Sequence, residues 1–124
     1  MIIRPASRKD CQAIYNLYQS EKWLSFTEEK VISLFSTILS HYLVLEEDQK
    51  ILGFVRYLTD EVMTTFLAEI IIDKSHRRKG LGQQLIEEIH KKYPLTRIEL
   101  ISEADGFYRA ISFKPVGTGF RKSE

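Results

Sequence analysis

Apolar side chains recur at helical spacing in three stretches of the chain. Ala13, Ile14, Leu17 and Tyr18 share one helical face, with Ser7 as the cap and Asp10 completing an imperfect capping box. Val31, Leu34, Phe35, Ile38 and Leu39 form the stripe of a second helix, capped by Thr27 and favoured at its start by Glu28 and Glu29. Leu81, Leu85, Ile86 and Ile89 mark a third, closed by Tyr93 and Pro94. Between them lie runs suited to strands: residues 2–5, 42–45, 51–58, 66–72 and 98–101. The run 66–72 is almost continuously apolar and predicts a strand buried on both faces. Gly53 inside its strand signals a bulge or a close backbone approach. Residues 46–50 read as a polar hairpin loop, residues 106–112 as a short helix and residues 114–120 as a last strand. Without repeats or linkers, the order predicts one mixed α/β domain over residues 1–124.

Composition narrows the function without naming it. The 124 residues are 44% hydrophobic and 28% charged, as expected of a folded domain with one core. A formal net charge of +1 gives no global field for nucleic acid or a membrane surface. Cys11 is the only cysteine, which excludes an internal disulfide or a cysteine-based zinc site. No apolar run approaches membrane-spanning length, and the first residues carry no readable secretory signal, so a cytoplasmic location is expected. His41, His76 and His90 have no metal-like spacing, and no metal is expected.

The dense basic cluster is His76-Arg77-Arg78-Lys79, followed by Gly80-Leu81-Gly82-Gln83 and the third helix. A strand that leads through a basic glycine loop into a helix start suits an anion. The first-turn N–H groups are unpaired and the peptide dipoles favour negative charge. The alternative is a solvated basic loop at an ordinary helix entrance. The string is not a Walker loop, and it lacks the third glycine of the dinucleotide fingerprint. Arg77-x-x-Gly80-x-Gly82 does resemble the [RQ]xxGx[GA] loop of the GCN5-related N-acetyltransferases, the GNAT family. Ile51-Leu52-Gly53-Phe54-Val55-Arg56 is similar to that family's third strand, the stretch from Glu69 to Arg77 to its approach to the loop, and Phe107-Tyr108 to Pro115-Val116 to its late aromatic segment. Two departures stand out. Ser112 occupies a place where the family usually has glycine, and no asparagine precedes Phe107 where the family often uses one to hold pantetheine. With Phe120 so near the last residue, the family's seventh strand is not expected.

The resemblance implies a central, mostly antiparallel mixed sheet, splayed between its fourth and fifth strands and flanked by about four helices. It implies acetyl-CoA as co-substrate, with the Ile70, Ile71 and Ile72 backbone along the pantetheine arm. Arg77, Arg78, Lys79, Gly80, Leu81, Gly82 and Gln83 then surround the pyrophosphate. Tyr108 is implied as general acid to the sulfur, or else a core aromatic. Glu69, acidic within an apolar run, is either a proton relay, a structural partner of Arg56 or Arg97, or a residue of a solvent-facing edge. Trp23 and Phe26 would line an acceptor wall or plug the core, with Arg56 and Asp60 flanking the site and Glu61 favouring a cationic amine. The expected activity is acetyl transfer to a primary amine in a ternary complex by a monomer or homodimer. The alternative is a non-catalytic CoA-binding sensor or partner-binding module on the same fold.

Overall fold

The computed structural model describes residues 1–123. Its strands, β1 (Ile2–Pro5), β2 (His41–Glu47), β3 (Lys50–Thr59), β4 (Thr64–Ile72) and β5 (Arg97–Leu100), form one sheet in sequence order. The first four are antiparallel neighbours, and β5 runs parallel to β4. Helices α1 (Cys11–Ser20) and α2 (Glu28–Leu34) cover one face; α3 (Leu81–Lys92) and the short α4 (Asp105–Ala110) pack on the other.

Two apolar layers result from strand alternation. Tyr42, Val44, Phe54 and Ile71 point toward Ile14, Leu17, Tyr18 and Val31. Leu43, Leu45, Val55, Tyr57 and Leu67 point toward Leu81, Leu85, Ile86 and Ile89. The helix caps follow the sequence. The Lys30 N–H donates to Thr27 Oγ1 at 3.2 Å, and the Ser7 N–H donates to Asp10 Oδ2 at 2.8 Å. Asp10 also accepts two bonds from Arg4, whose guanidinium holds its carboxyl below the usual range.

The strand β4 contains the feature that shapes the site. Arg56 pairs with Glu69 and Tyr57 with Leu67, so Ala68 has no opposite number on β3. By strict alternation, residues 67, 69 and 71 would share a face. The bulge instead sends Leu67 to the α3 layer and Ile71 to the α1 layer, with Glu69 beside Arg56 and Tyr18. The parallel ladder with β5 covers only Thr64 to Leu67 and stops at the bulge. From Ala68 onward, the β5 side of β4 is open.

Three sequence expectations need correction, and one about Gly53 holds. The α2 stripe is too long: the helix ends at Leu34, and Ile38 and Leu39 are 89% and 67% exposed in the segment that leads to β2. The run 66–72 is not buried on both faces, because Phe66 is exposed and Ile70 and Ile72 are half-buried beside the open edge. Residues 114–120 form no strand and leave Phe120 90% exposed. The expectation for Gly53 is met in both its forms: a bulge at Leu52 flanks it, and a Cβ there would meet Ile72 Cδ1 at 2.6 Å and the Ile71 carbonyl at 2.9 Å. Among the described residues, no helix is long and apolar enough to cross a membrane.

Ser112, the departure from glycine noted above, adopts φ +77° directly after α4. An L side chain in that region costs about 1 kcal/mol. Ser112→Gly should therefore raise the melting temperature by a few degrees in a thermal scan. An unchanged or lower value would mean that the serine side chain compensates for its conformation.

Candidate active site

The end of β4, the entrance to α3 and the α1–α2 loop converge around the open edge. The Asp73 N–H donates to the Leu52 carbonyl at 2.7 Å, so Asp73 faces β3. Backbone groups alternate along an antiparallel pair. Ile71 therefore also faces β3, and its side chain is core. Ile70 and Ile72 face the other way, toward the side that β5 has vacated. Of the three isoleucines expected along a pantetheine arm, two have backbone groups at the open edge; Ile71 does not, for this reason of register.

The loop after β4 is built by left-handed residues. Arg78 has φ +64° and Gly80 φ +76°. The first helical bond is Gln84 N–H to the Gly80 carbonyl at 3.1 Å, so the N–H groups of Leu81, Gly82 and Gln83 lie ahead of the helical ladder. The two glycines have different physical reasons. A Cβ on Gly80 would meet nothing within 4 Å, and the residue is needed for its backbone angle. A Cβ on Gly82 would meet Phe107 Cζ at 3.1 Å, so this glycine lets α3 pack under α4 rather than clearing space for a ligand. The Arg77 guanidinium is also not free for an anion: Nε donates to the Ile72 carbonyl at 3.0 Å, and Nη2 pairs with Glu21 at the end of α1. Arg78 and Lys79 are exposed at the loop. His76 is held by Asp73, Nδ1 to Oδ2 at 2.9 Å.

On the α1 side, Glu69 sits at the centre of a buried polar network. Its Oε1 accepts from Arg56 Nε and from Tyr18 Oη, both at 2.6 Å, and its Oε2 from Arg56 Nη2 at 2.7 Å. Of its two alternative partners, Arg56 is the one it has. Tyr18 uses its single proton on Glu69, so the 2.9 Å contact between the Tyr18 and Tyr42 hydroxyls must be donated by Tyr42. Burial and the Glu69 charge push the Tyr18 phenol far above its usual range; burial pushes Tyr42 up to about 12. Burial disfavours the charge on Arg56, but the hydrogen-bonded Glu69 carboxylate outweighs it and holds the guanidinium charged. A carboxylate offers about four acceptor sites. Three are taken here, which leaves one on Oε2.

Three rings pack around Tyr18. Phe26 stacks on it at 4.0 Å, Phe54 lies at 4.9 Å and Trp23 at 6.3 Å. Phe26 and Arg56 also line an open depression of about 360 Å³ with Ser25, Lys30, Ser33 and Leu34; Trp23 packs against the core cluster instead. Asp60 and Glu61 are not at this site. They form the β3–β4 turn, at the opposite end of β4 from the glycine loop, where Asp60 Oδ1 accepts the N–H groups of Val62, Met63 and Thr64. Those bonds hold the Asp60 carboxyl below its usual value. Tyr108 lies on α4, half-buried against the α3 layer that includes Ile70 and Ile72, with Phe107 and Phe113 edge-on at 5.0 and 5.5 Å. Burial raises its phenol above the ordinary value. Sequence reasoning missed Tyr18 and Tyr42 as site residues, because helical and strand spacing marked both as core.

A family model described as "Acetyltransferase (GNAT) domain" matches residues 39–115, more than half of the chain. The chain belongs to the GNAT acetyltransferase family. It is similar along its whole length to the crystal structure of a ribosomal-protein-alanine N-acetyltransferase from Brucella melitensis biovar Abortus 2308, at 14% identity and TM-score 0.83, covering 100% of both chains. A GNAT family acetyltransferase from Streptococcus pneumoniae TIGR4 is 21% identical with TM-score 0.77, covering 99% of this chain and 98% of its own. The aminoglycoside N-acetyltransferase AAC(6')-Iy, solved in complex with CoA, is 13% identical with TM-score 0.80, covering 99% and 93%. No curated protein matches the chain by sequence. Among the described residues, no group of three or more His, Cys, Asp or Glu is arranged to hold a metal ion.

The Arg56–Glu69 pair is mostly buried, with side chains 16% and 10% exposed. Removing one partner of such a pair leaves an uncompensated charge, which costs about 3 kcal/mol. Arg56→Met should lose about that much in urea denaturation, and the double variant Arg56→Met with Glu69→Leu should recover at least 1 kcal/mol, roughly. Strictly additive losses would mean that the two side chains are not coupled.

Proposed function

We propose that this GNAT protein transfers an acetyl group from acetyl-CoA to a primary amine by direct attack, with both substrates bound at once. The observation that carries this reading is the open edge of β4. It presents backbone groups of Ile70 and Ile72 where β5 has ended, and it runs directly into the entrance of α3. An extended pantetheine arm can pair with such an edge as an added strand. The Ile72 carbonyl already accepts from Arg77, so Ile70 is the less committed partner. The amides of Leu81, Gly82 and Gln83, with the Arg78 and Lys79 side chains beside them, suit the pyrophosphate. The relative solved with CoA supports the same cofactor class.

The bound thioester supplies an activated acetyl group. The residues of this chain then have three tasks. The first is proximity, which turns a two-body encounter into an internal step and is a large term. The second is to hold the amine and accept its proton. The one free acceptor site on Glu69 Oε2 suits that task, directly or through water, while Arg56 and Tyr18 fix the carboxylate in place. The third is to donate a proton to the sulfur as the thiolate leaves, which is assigned to the Tyr108 phenol. Burial raises its pKa, so it stays protonated at neutral pH and beyond its ordinary value of 10.

Acetyl-CoA titrated calorimetrically into the wild type should show specific binding. Gly80→Asp, which puts a carboxylate into the open space at the loop, should abolish it; equal affinity in the variant would remove the phosphate-loop assignment. Thiol release with an amine panel tests the transfer itself, and binding without release for every amine would favour a sensor. Given a working acceptor, Tyr108→Phe should lower kcat by about 10²–10⁴ with little change in acetyl-CoA affinity. Equal losses in both would indicate packing rather than proton donation. Because burial raises the phenol, any alkaline fall in kcat that comes from Tyr108 should have its midpoint above pH 10; a limb with a midpoint below pH 10 that disappears in Tyr108→Phe would contradict the assignment.

A further inference from the structure

Resting on the transferase reading above, we propose that the acceptor is an amine that also carries a carboxylate on an apolar body, and that Lys30 recognises that carboxylate. The depression beside Glu69 is lined by the apolar Phe26 and Leu34 and by the polar Ser25, Lys30, Ser33 and Arg56. Among the described residues, no carboxylate lines it. Arg56 belongs both to this lining and to the bidentate pair with Glu69, so the depression adjoins the carboxylate that would take the amine's proton. The Phe26 ring is shared in the same way: it lines the depression and stacks on Tyr18, whose hydroxyl reaches Glu69.

The charges around this space do not cancel. Arg56 and Glu69 neutralise each other, and Lys30 remains. Among the described residues, the Lys30 ammonium is within salt-bridge distance of no acid. Glu28 and Glu29 precede it on α2, but neither lines the depression. The Ser25 and Ser33 hydroxyls also make no hydrogen bond within the protein among the described residues, and Arg56 spends three of its five N–H groups on Glu69 and Ser40. The lining thus offers one cation and several unspent donors beside apolar side chains. That combination favours a ligand with an anionic end and an apolar body, whose amine reaches toward Glu69. It disfavours polycationic acceptors, which would place positive charge against Lys30 with no acid to receive it. The acid that suggested a cationic acceptor, Glu61, lies with Asp60 at the far end of β4.

The test is thiol release from acetyl-CoA with matched acceptors: phenylalanine against phenethylamine, leucine against isoamylamine, the remaining amino acids against their decarboxylated forms, and spermidine and an aminoglycoside as polycations. The acid-bearing member of a productive pair should exceed its partner by about tenfold or more in kcat/KM, mainly through KM, as expected for a hydrogen bond to a charged group. Lys30→Ala should collapse that ratio, and Lys30→Glu should invert it toward spermidine. Lys30 is exposed, and acetyl-CoA binding by each variant confirms folding. Preference for the decarboxylated or polycationic acceptors, or an acid preference that survives Lys30→Ala, overturns this inference and leaves the transferase reading intact. No thiol release with any acceptor overturns both.

Discussion

One unpaired residue, Ala68, organises the functional end of this molecule. A single bulge in β4 does two things that regular pairing would not do together. It reverses the facing of the strand, so that Leu67 completes the core under α3 while Glu69 meets Arg56 and Tyr18 on the opposite side. It also coincides with the end of the parallel ladder, since β5 pairs with Thr64 to Leu67 and no further. Bulges bend and twist the strand that carries them. The strand thus gains a free edge at the point where it presents a carboxylate.

What surrounds the bulge is stiff. Glu69 is held by three donors, Arg56 by both carboxylate oxygens, and Tyr18 by Phe26 on one ring face and Tyr42 at its hydroxyl. Each polar group in this cluster is satisfied, and among the described residues no buried side-chain nitrogen or oxygen lacks a partner. A satisfied network in a low-dielectric setting keeps a unique geometry. If Glu69 takes the amine's proton as proposed, it is positioned before any substrate arrives, which is the property that proximity and orientation require.

The sequence was most legible where one physical rule acts alone. Ile14, Leu17 and Tyr18 on α1, and Leu81, Leu85, Ile86 and Ile89 on α3, are buried as their spacing indicates. The Thr27 cap forms as expected. Errors came where tertiary context decides. Ile38 and Leu39 continue the period of α2, yet the chain must leave the helix at Leu34 to enter β2, so periodicity outlasted the element that it described. The run 66–72 is apolar for two reasons in succession, a core segment before the bulge and an open edge after it, and composition cannot separate them. Gly82 belongs to the anion-loop motif, but the residue that its missing side chain makes room for is Phe107, twenty-five positions along the chain. Glu69 was the opposite case. A lone carboxylate in an apolar run has to find a partner, and Arg56 as that partner was readable, whereas Tyr18 was not, because a tyrosine on a buried helical face looks the same whether or not its hydroxyl has a task.

Arg77 shows how a recognisable motif can be met by an unexpected use of its first residue. The motif suggests a cation for the phosphates, but this guanidinium is spent on the Ile72 carbonyl and on Glu21. Its position still has a consequence for the site. It joins the last residue of β4 to the end of α1, where the loop carrying Trp23 and Phe26 begins. The loop that would receive the cofactor and the loop that borders the acceptor depression are therefore tied through one side chain. An exposed ion pair of this kind contributes little to global stability. Its weight lies in local order, because it fixes the Ile72 end of the open edge and leaves Arg78, Lys79 and the first amides of α3 as the groups that can meet an incoming anion. In the proposed reading, the electrostatic part of cofactor recognition falls to Arg78, Lys79 and the backbone dipoles at the start of α3, with the left-handed turns at Arg78 and Gly80 shaping the loop and Arg77 spent elsewhere.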